Sequence, residues 1–358
     1  MKIIVACGGT GGHAFPGLAV AEELARRGHD VTVWSSGRDV ESSVLERWKG
    51  AVFATGARPL KVKHAFALLA SIVRCRRAMR RARPDVLLAM GSYSSLPPVL
   101  AARSCGVPIV LHEANTVPGK AVEALSRAAV AVATSFEVTA RFLPRACTRL
   151  TGLPVRADIA CGRRFDFIPP DAFVVFVTGG SQGAHAVNLL MRDALTLFRR
   201  ELARRTDGRP LYVIHQTGVK DEETIRAAYA DAGIPARVHA FERAMPDAFA
   251  SADIVVARAG ASTCFELAVC GRPALLIPLP QSMRDHQHHN AEAFAARGAA
   301  DEGLQAKLTP LQVCRYLLLK YDHPEQLAAM RARMAALATP AAAARVADLV
   351  EETGAPRV

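Results

Sequence analysis

Two Rossmann-like parallel-sheet α/β domains are the architecture this sequence predicts, and three observations predict it. Short apolar strands alternate with helical segments along most of the 358 residues. A glycine-rich turn, Gly8-Gly9-Thr10-Gly11-Gly12-His13, follows the first strand, and a second, Thr178-Gly179-Gly180-Ser181-Gln182-Gly183-Ala184, follows a strand near mid-chain. The strands are continuously apolar instead of alternating, as strands covered on both faces must be. The length itself suits two domains.

The first strand is Lys2-Ile3-Ile4-Val5-Ala6, and a helix is expected over Phe15 to Arg27. Four glycines in the five residues from Gly8 to Gly12 strip the intervening turn of side chains. An anionic ligand can then reach backbone N–H groups at a helix N-terminus, where the macrodipole favours negative charge. His13 adds a titratable group to the same loop. The dinucleotide pattern G-x-G-x-x-G fails, because Ala14 stands where its third glycine belongs, and no Gly-Lys-Ser/Thr follows for a Walker loop. A plain structural turn is the alternative reading.

Strands follow at Val31–Trp34, Asp85–Met90, Val107–Glu113 and Val130–Thr134. The pattern breaks at Gly152-Leu153-Pro154-Val155-Arg156, and residues 153–170 read as a linker after an N-terminal domain over 1–152. A second series over 171–325 has strands at Phe173–Val177, Leu211–Ile214, Arg237–Ala240, Ile254–Ala257 and Ala274–Pro278. The Ala/Leu/Arg-rich tail over 326–358 reads as helices. Two such domains face to face would set two ligand crevices across one central cleft, which suits a donor in one half and an acceptor in the other.

The chain carries 45 Lys and Arg against 33 Asp and Glu, a net charge of +12, and the excess is concentrated: residues 47–84 hold eleven basic residues and no acid. Anionic lipid, phosphorylated substrate or nucleic acid would suit such a face. The chain's 14 Phe, 5 Tyr and 2 Trp fall mostly in strands and helices and are not interleaved with the basic residues, which argues against a nucleic-acid partner. The eight cysteines form no C-x-x-C pair, so neither a disulfide framework nor a zinc site is indicated. The first strand starts at the initiator Met and no apolar run approaches the roughly 20 residues of a membrane span, so a cytoplasmic protein is expected.

Seven segments, in order, carry a resemblance: GGTGGHAFPGLAVAEEL at 8–24, LHEANTVPGKA at 111–121, GLPVR at 152–156, GGSQGA at 179–184, HQTG at 215–218, RAGASTCFEL at 258–267 and DHQHHNA at 285–291. Together they resemble the MurG family of GT-B glycosyltransferases. The resemblance implies inverting transfer of GlcNAc from UDP-GlcNAc to the C4 hydroxyl of MurNAc in undecaprenyl-pyrophosphoryl-MurNAc-pentapeptide (lipid I), giving lipid II for peptidoglycan synthesis. It implies no cofactor, and no Asp-x-Asp metal motif is present.

That reaction needs a base for the acceptor hydroxyl and charge stabilisation for the departing diphosphate. By resemblance, Thr10, Gly11, Gly12 and His13 contact the donor sugar, and His13 is the leading candidate base, with a positioning hydrogen bond as its alternative. Glu113 is the backup carboxylate, or else a structural partner of the loop after it. Ser181, Ala261, Ser262 and Thr263 would meet the diphosphate or sugar by backbone and hydroxyl groups. Arg156 would supply a cation, or a hinge salt bridge. Glu266 would accept both ribose hydroxyls, the bland reading being a Glu favoured by the helix dipole. Asn115 and Gln287 would contact GlcNAc hydroxyls, or cap loops. Gly9, Tyr93 and Ser94 would bind the acceptor. Three positions depart from the family pattern. Ser92 stands where a second Gly is frequent, His288 where some members have Gln, and Glu242 where an apolar residue often lies near the uracil.

Phe66, Leu69 and Ile72 lead into Arg74, Arg76, Arg77 and Arg80, a pattern that suits an interfacial helix on an anionic membrane surface. Helical spacing suits a core-facing helix equally well. The lipid-linked substrate tips the expectation toward peripheral association with the cytoplasmic face of the bacterial cell membrane, with cell-wall synthesis and division proteins as possible partners. A UDP-GlcNAc 2-epimerase is the rival enzyme, a diacylglycerol-directed UDP-sugar transferase the next, and a basic nucleic-acid binder the non-enzyme alternative.

Overall fold

The structure, a computed structural model, describes residues 1–9, 11–37, 45, 48–58, 65–206 and 208–355. It divides into two units, residues 1–156 with 339–358, and residues 157–338.

The first unit holds a seven-stranded, all-parallel sheet. Its strands are β1 (Lys2–Ala6), β2 (Asp30–Ser35), β3 (Ala51–Ala54), β4 (Val86–Ala89), β5 (Ile109–Glu113), β6 (Ala131–Thr134) and β7 (Thr148–Leu150), in the spatial order β3-β2-β1-β4-β5-β6-β7. Helices α1 (Gly11–Arg26), α2 (Ala65–Ala82), α3 (Leu96–Cys105) and α4 (Lys120–Leu125) connect them. The central strands β1, β4, β5 and β6 are buried on both faces, which explains their largely apolar character.

The second unit holds a six-stranded parallel sheet in the order β10-β9-β8-β11-β12-β13. These are β8 (Phe173–Thr178), β9 (Leu211–Gln216), β10 (Ala236–His239), β11 (Ile254–Ala257), β12 (Ala274–Leu276) and β13 (Ala300–Glu302). Its helices are α5 (His185–Leu202), α6 (Glu222–Asp231), α7 (Met245–Ser251), α8 (Ala261–Cys270), α9 (His286–Ala295), α10 (Pro310–Asp322) and α11 (Pro324–Ala336). Thr309 caps α10 in a reciprocal box with Gln312.

Three strands escaped the sequence reading, β3, β7 and β13. All are three or four residues long and lie at a sheet edge: β7 and β13 mix polar residues into the strand, and the four apolar residues of β3 are too few to mark one. The domain boundaries differ as well. Residues 157–161 form a 3-10 turn whose Ile159 is buried, and Cys270 on α8 donates to the Ile159 carbonyl at 3.3 Å. Residues 153–156 of the expected linker therefore belong to the first unit, and the rest is packed structure of the second. The end of the chain is no appendage either. Helix α12 (Ala342–Gly354) buries Val346, Ala347, Leu349 and Val350 in one core with Val5, Leu24 and Leu88 of the first unit. Arg27 at the end of α1 secures it, donating to Asp348 at 2.7 Å and Glu351 at 2.8 Å.

Candidate functional site

In each sheet the strand order reverses direction once, between β1 and β4 and between β8 and β11. Neighbouring loops diverge there and leave a crevice at the carboxyl ends of the strands, the place where open α/β sheets bind ligands. The sequence puts its glycine-rich loops at both reversals.

At the first reversal the loop after β1 meets the loop after β4. Gly9 has φ +116°, and a Cβ there would lie 2.6 Å from Ser92 Oγ, so this contact requires glycine. Ser94 donates to the Gly8 carbonyl and Ser95 to the Gly91 carbonyl, which closes the second loop on itself and on the first. Tyr93 is half-buried in the same turn. Thr10 lies outside the described residues. Helix α1 starts earlier than expected, so Gly11, Gly12 and His13 form its first turn.

His13 Nδ1 lies 2.9 Å from the Met90 carbonyl. A carbonyl only accepts, so Nδ1 carries the proton and the lone pair of the neutral ring sits on Nε2. That tautomer equips the ring to take a proton. Arg156 closes the first unit, and its guanidinium stacks 5.2 Å from the Phe15 ring centroid on α1. A cation thus stands beside the first glycine-rich turn rather than in a linker.

Glu113 is 2% exposed. One carboxylate oxygen accepts from Asn115 N at 2.9 Å and Asn115 Nδ2 at 3.1 Å, the other from Gly119 N at 2.9 Å. Burial pushes this carboxyl above its ordinary range against the pull of those donors. Glu113 clamps the 114–119 loop, and that geometry favours the structural role over proton transfer. Asn115 presents its half-buried amide from the clamped loop.

At the second reversal, Gly179 and Gly183 have no room for a side chain. A Cβ on Gly183 would sit 2.0 Å from the Thr217 carbonyl oxygen, and one on Gly179 2.4 Å from Ala184 N. Ser181 is exposed at the tip of this loop. The neighbouring loop after β11 is held from beneath. Arg258, 8% exposed, donates to the carbonyls of Ile277 and Pro278 at 3.1 and 3.0 Å, and Asn290 Nδ2 donates to the Ala259 carbonyl at 3.2 Å. Helix α8 then begins at Ala261 with Ser262 and Thr263 half-buried in its first turn. Glu266 is four residues after Ser262 and three after Thr263, so it shares their helix face one turn along. An anion at the N-terminus and a pair of hydroxyls one turn deeper would meet complementary groups.

Gln287 accepts from Leu279 N at 2.9 Å through its side-chain oxygen, so the amide is partly committed to the loop before α9. That loop is strained: Gln281, Arg284 and Asp285 have φ of +58°, +54° and +50°. His288 Nδ1 pairs with Glu302 at 2.6 Å, which raises its pKa and points it at β13. Glu242 is buried with its carboxylate gripped by Arg237 at 2.7 and 3.1 Å and by Ala244 N at 2.9 Å. Burial alone would raise this carboxyl; Arg237 and Ala244 outweigh it and hold it low. The Glu242 backbone N–H donates to Gln216 Oε1 at 3.0 Å.

Helix α2 turns Ser71, Cys75 and Met79 inward. Phe66 is 89% exposed and Leu69 60%. Ile72 turns partly inward, and Val73 takes the outer position expected of it, since successive residues are about 100° apart on a helix. Phe53, Phe66, Leu69, Val73, Arg74 and Arg77 line an open groove of about 680 Å³. Arg76 and Arg80 are exposed as well. Of this apolar stripe, Phe66, Leu69 and Val73 are therefore exposed and only Ile72 faces partly inward. Among the described residues, no helix is long and apolar enough to cross a membrane.

The glycosyltransferase family 28 N-terminal domain matches residues 3–134, and the family's C-terminal domain matches residues 174–351. A UDP-N-acetylglucosamine–N-acetylmuramyl-(pentapeptide) pyrophosphoryl-undecaprenol N-acetylglucosamine transferase from Myxococcus xanthus is 36% identical, covering 98% of this chain and 92% of the relative. The crystal structure of Acinetobacter baumannii MurG superposes with a TM-score of 0.77 at 30% identity, over 98% of this chain and 99% of that one. A UDP-GlcNAc 2-epimerase from Neisseria meningitidis, bound to UDP-GlcNAc, reaches a TM-score of 0.72 over 98% of this chain and 100% of that one, but at 13% identity it shares the fold alone. The chain belongs to glycosyltransferase family 28, with both domains of that family in their usual order.

Proposed function

We propose that this chain transfers GlcNAc from UDP-GlcNAc to the C4 hydroxyl of MurNAc in undecaprenyl-pyrophosphoryl-MurNAc-pentapeptide, inverting the anomeric centre and releasing UDP. The observation that carries the proposal is full-length similarity to transferases of that name, combined with a histidine at the first glycine-rich turn whose tautomer is set for proton abstraction.

His13 Nε2 takes the proton from the acceptor hydroxyl as that oxygen attacks the anomeric carbon, and the bond to the diphosphate oxygen breaks in line. Charge develops on the departing diphosphate. The N–H groups at the start of α8, the Ser181 loop and Arg156 stabilise it. Glu266 accepts the ribose hydroxyls, and Asn115 and Gln287 contact the sugar. Gly9, Tyr93 and Ser94 belong to the acceptor side. The apolar and arginine-rich face of α2 rests on the inner leaflet, where the polyprenyl chain of the acceptor is anchored. The protein is thus a peripheral enzyme of the cytoplasmic membrane face, within reach of cell-wall synthesis and division proteins.

Radiolabelled UDP-GlcNAc supplied with a lipid I analogue tests the proposal. Labelled disaccharide-lipid with wild type, and its loss with His13→Ala, is the expected outcome. Release of a 2-epimerised sugar without acceptor would replace the transferase reading with that of an epimerase.

A further inference from the structure

Gln216, at the end of β9, is 1% exposed and uses both ends of its amide. Its Nε2 donates to the Gly180 carbonyl at 2.8 Å and to Thr178 Oγ1 at 3.3 Å. Its Oε1 accepts the Glu242 N–H at 3.0 Å. The Gly180 carbonyl accepts a second hydrogen bond from Gly183 N at 3.0 Å, and the Gly180 N–H donates to Thr178 Oγ1 at 3.1 Å. A buried side chain therefore fixes the orientation of one peptide unit in the second glycine-rich loop.

That peptide is Gly180–Ser181. In a trans peptide the C=O and N–H point in opposite directions, and the chain has no cis bond among its described residues. With the Gly180 oxygen drawn onto Gln216 beneath the loop, the Ser181 N–H is turned away from Gln216, toward the exposed side of the loop. Gly180 has φ +83° and no atom within 4 Å of where a Cβ would lie, so without Gln216 the orientation of this peptide would rest on the Gly183 N–H alone. A flip would present a carbonyl oxygen where a phosphate-facing donor is needed.

We propose that Gln216 is a positioning residue for the donor: by pinning the Gly180 carbonyl it aims the Ser181 N–H at the diphosphate of the UDP-sugar. The proposal rests on the donor reading given above. It separates diphosphate recognition from nucleoside recognition. Loss of Gln216 should weaken UDP while leaving uridine, which has no phosphate, nearly unchanged.

The test measures binding of UDP and of uridine by titration calorimetry to the full chain, to Gln216→Met and to Gln216→Glu. The Glu variant places a second acceptor against the Gly180 oxygen. UDP affinity should fall by about tenfold or more, as expected for a lost hydrogen bond to a charged group, and uridine affinity by less than about twofold. In turnover, the KM for UDP-GlcNAc should rise more than kcat falls. Thr178→Val, close to isosteric, removes the side-chain acceptor that holds the Gly180 N–H and one partner of Gln216 Nε2, and should shift the same ratio in the same direction if the Gln216 variants do not fold. Equal losses for UDP and uridine would overturn the proposal and make Gln216 a prop of the 242 turn, and no loss for either would overturn it too. A wild type that binds neither ligand would instead defeat the donor reading itself.

Discussion

Ser92 Oγ lies where a side chain on Gly9 would have to go, 2.6 Å from the Cβ position, and the two residues join the glycine loops of β1 and β4. Both hold unusual backbone. Gly9 has φ +116°, and Ser92 has φ +68° with ψ 167°, a region that side-chain-bearing residues rarely enter. The family's frequent Gly at 92 is thus a conformational preference, and this chain keeps the conformation with a serine. Ser92→Gly is expected to stabilise the protein by about 1 kcal/mol, the relieved strain exceeding the added freedom of the unfolded chain. Gly9→Ala should destabilise by about 2 kcal/mol or more, because φ and contact both oppose it. Thermal melts of the two variants give the comparison; a lower Tm for Ser92→Gly than for wild type would refute the strain argument.

The second prediction concerns His13. Its Nδ1–H is held by the Met90 carbonyl, so the ring is oriented by backbone that no side-chain substitution alters. His13→Gln retains a donor for that carbonyl but offers no basic nitrogen. It should lower kcat by about two to four orders of magnitude with a small change in the KM for UDP-GlcNAc. A rise in KM with kcat preserved would assign His13 to substrate positioning.

Strand and helix order, both glycine loops and the two-domain plan were legible because periodicity and glycine spacing report local backbone directly. The return of α12 to the first sheet was not. An Ala-rich amphipathic helix says that it has an apolar face, not which sheet that face covers, and the Arg27 contacts to Asp348 and Glu351 span more than 300 residues. Glu113 was legible both as a carboxylate and, in its alternative reading, as a partner of the loop after it; its individual donors were not, since backbone N–H groups carry no sequence signature. Gln216 was visible inside a matched motif, yet nothing local shows that a polar residue ending an apolar strand reaches across to Gly180. Ser92 departs from the family pattern visibly in the sequence, and only its φ of +68° gives the reason.

Acid sensitivity is the third prediction. His112 and His215 are fully buried, and burial drives their pKa values down to about 4 and about 3. His215 donates through Nε2 to Asn188 Oδ1 at 3.1 Å and accepts from the Tyr229 hydroxyl at 2.9 Å, an arrangement made for the neutral ring. Both folded values lie below the unfolded value of about 6.5. The unfolded chain therefore binds more protons as pH falls through the interval, and the stability these groups confer is complete above pH ~6.5 and declines toward pH ~4. Each contributes a slope of up to about 1.4 kcal/mol per pH unit. Urea unfolding between pH 7 and pH 4.5 should show this decline, and His215→Gln should flatten it. An unchanged slope in the variant would mean that other groups govern the acid limb.

The exposed side of α2 yields the last prediction. Phe66 and Leu69 project from the helix with Arg74, Arg76, Arg77 and Arg80 following on the same chain segment, and residues 65–82 contain no acidic side chain to offset them. Apolar burial and lipid charge act together at such a surface, each near-surface Arg contributing about 1 kcal/mol. The triple variant Arg76→Glu, Arg77→Glu and Arg80→Glu should lose binding to vesicles containing anionic lipid, and raising salt should reproduce part of that loss in wild type. Phe66→Ser should weaken binding in a way that salt does not mimic, because the lost contribution is hydrophobic. Neither set of changes touches the core of the first unit, so the melting temperature should hold. Vesicle binding that survives both sets would move the membrane contact to another face of the protein.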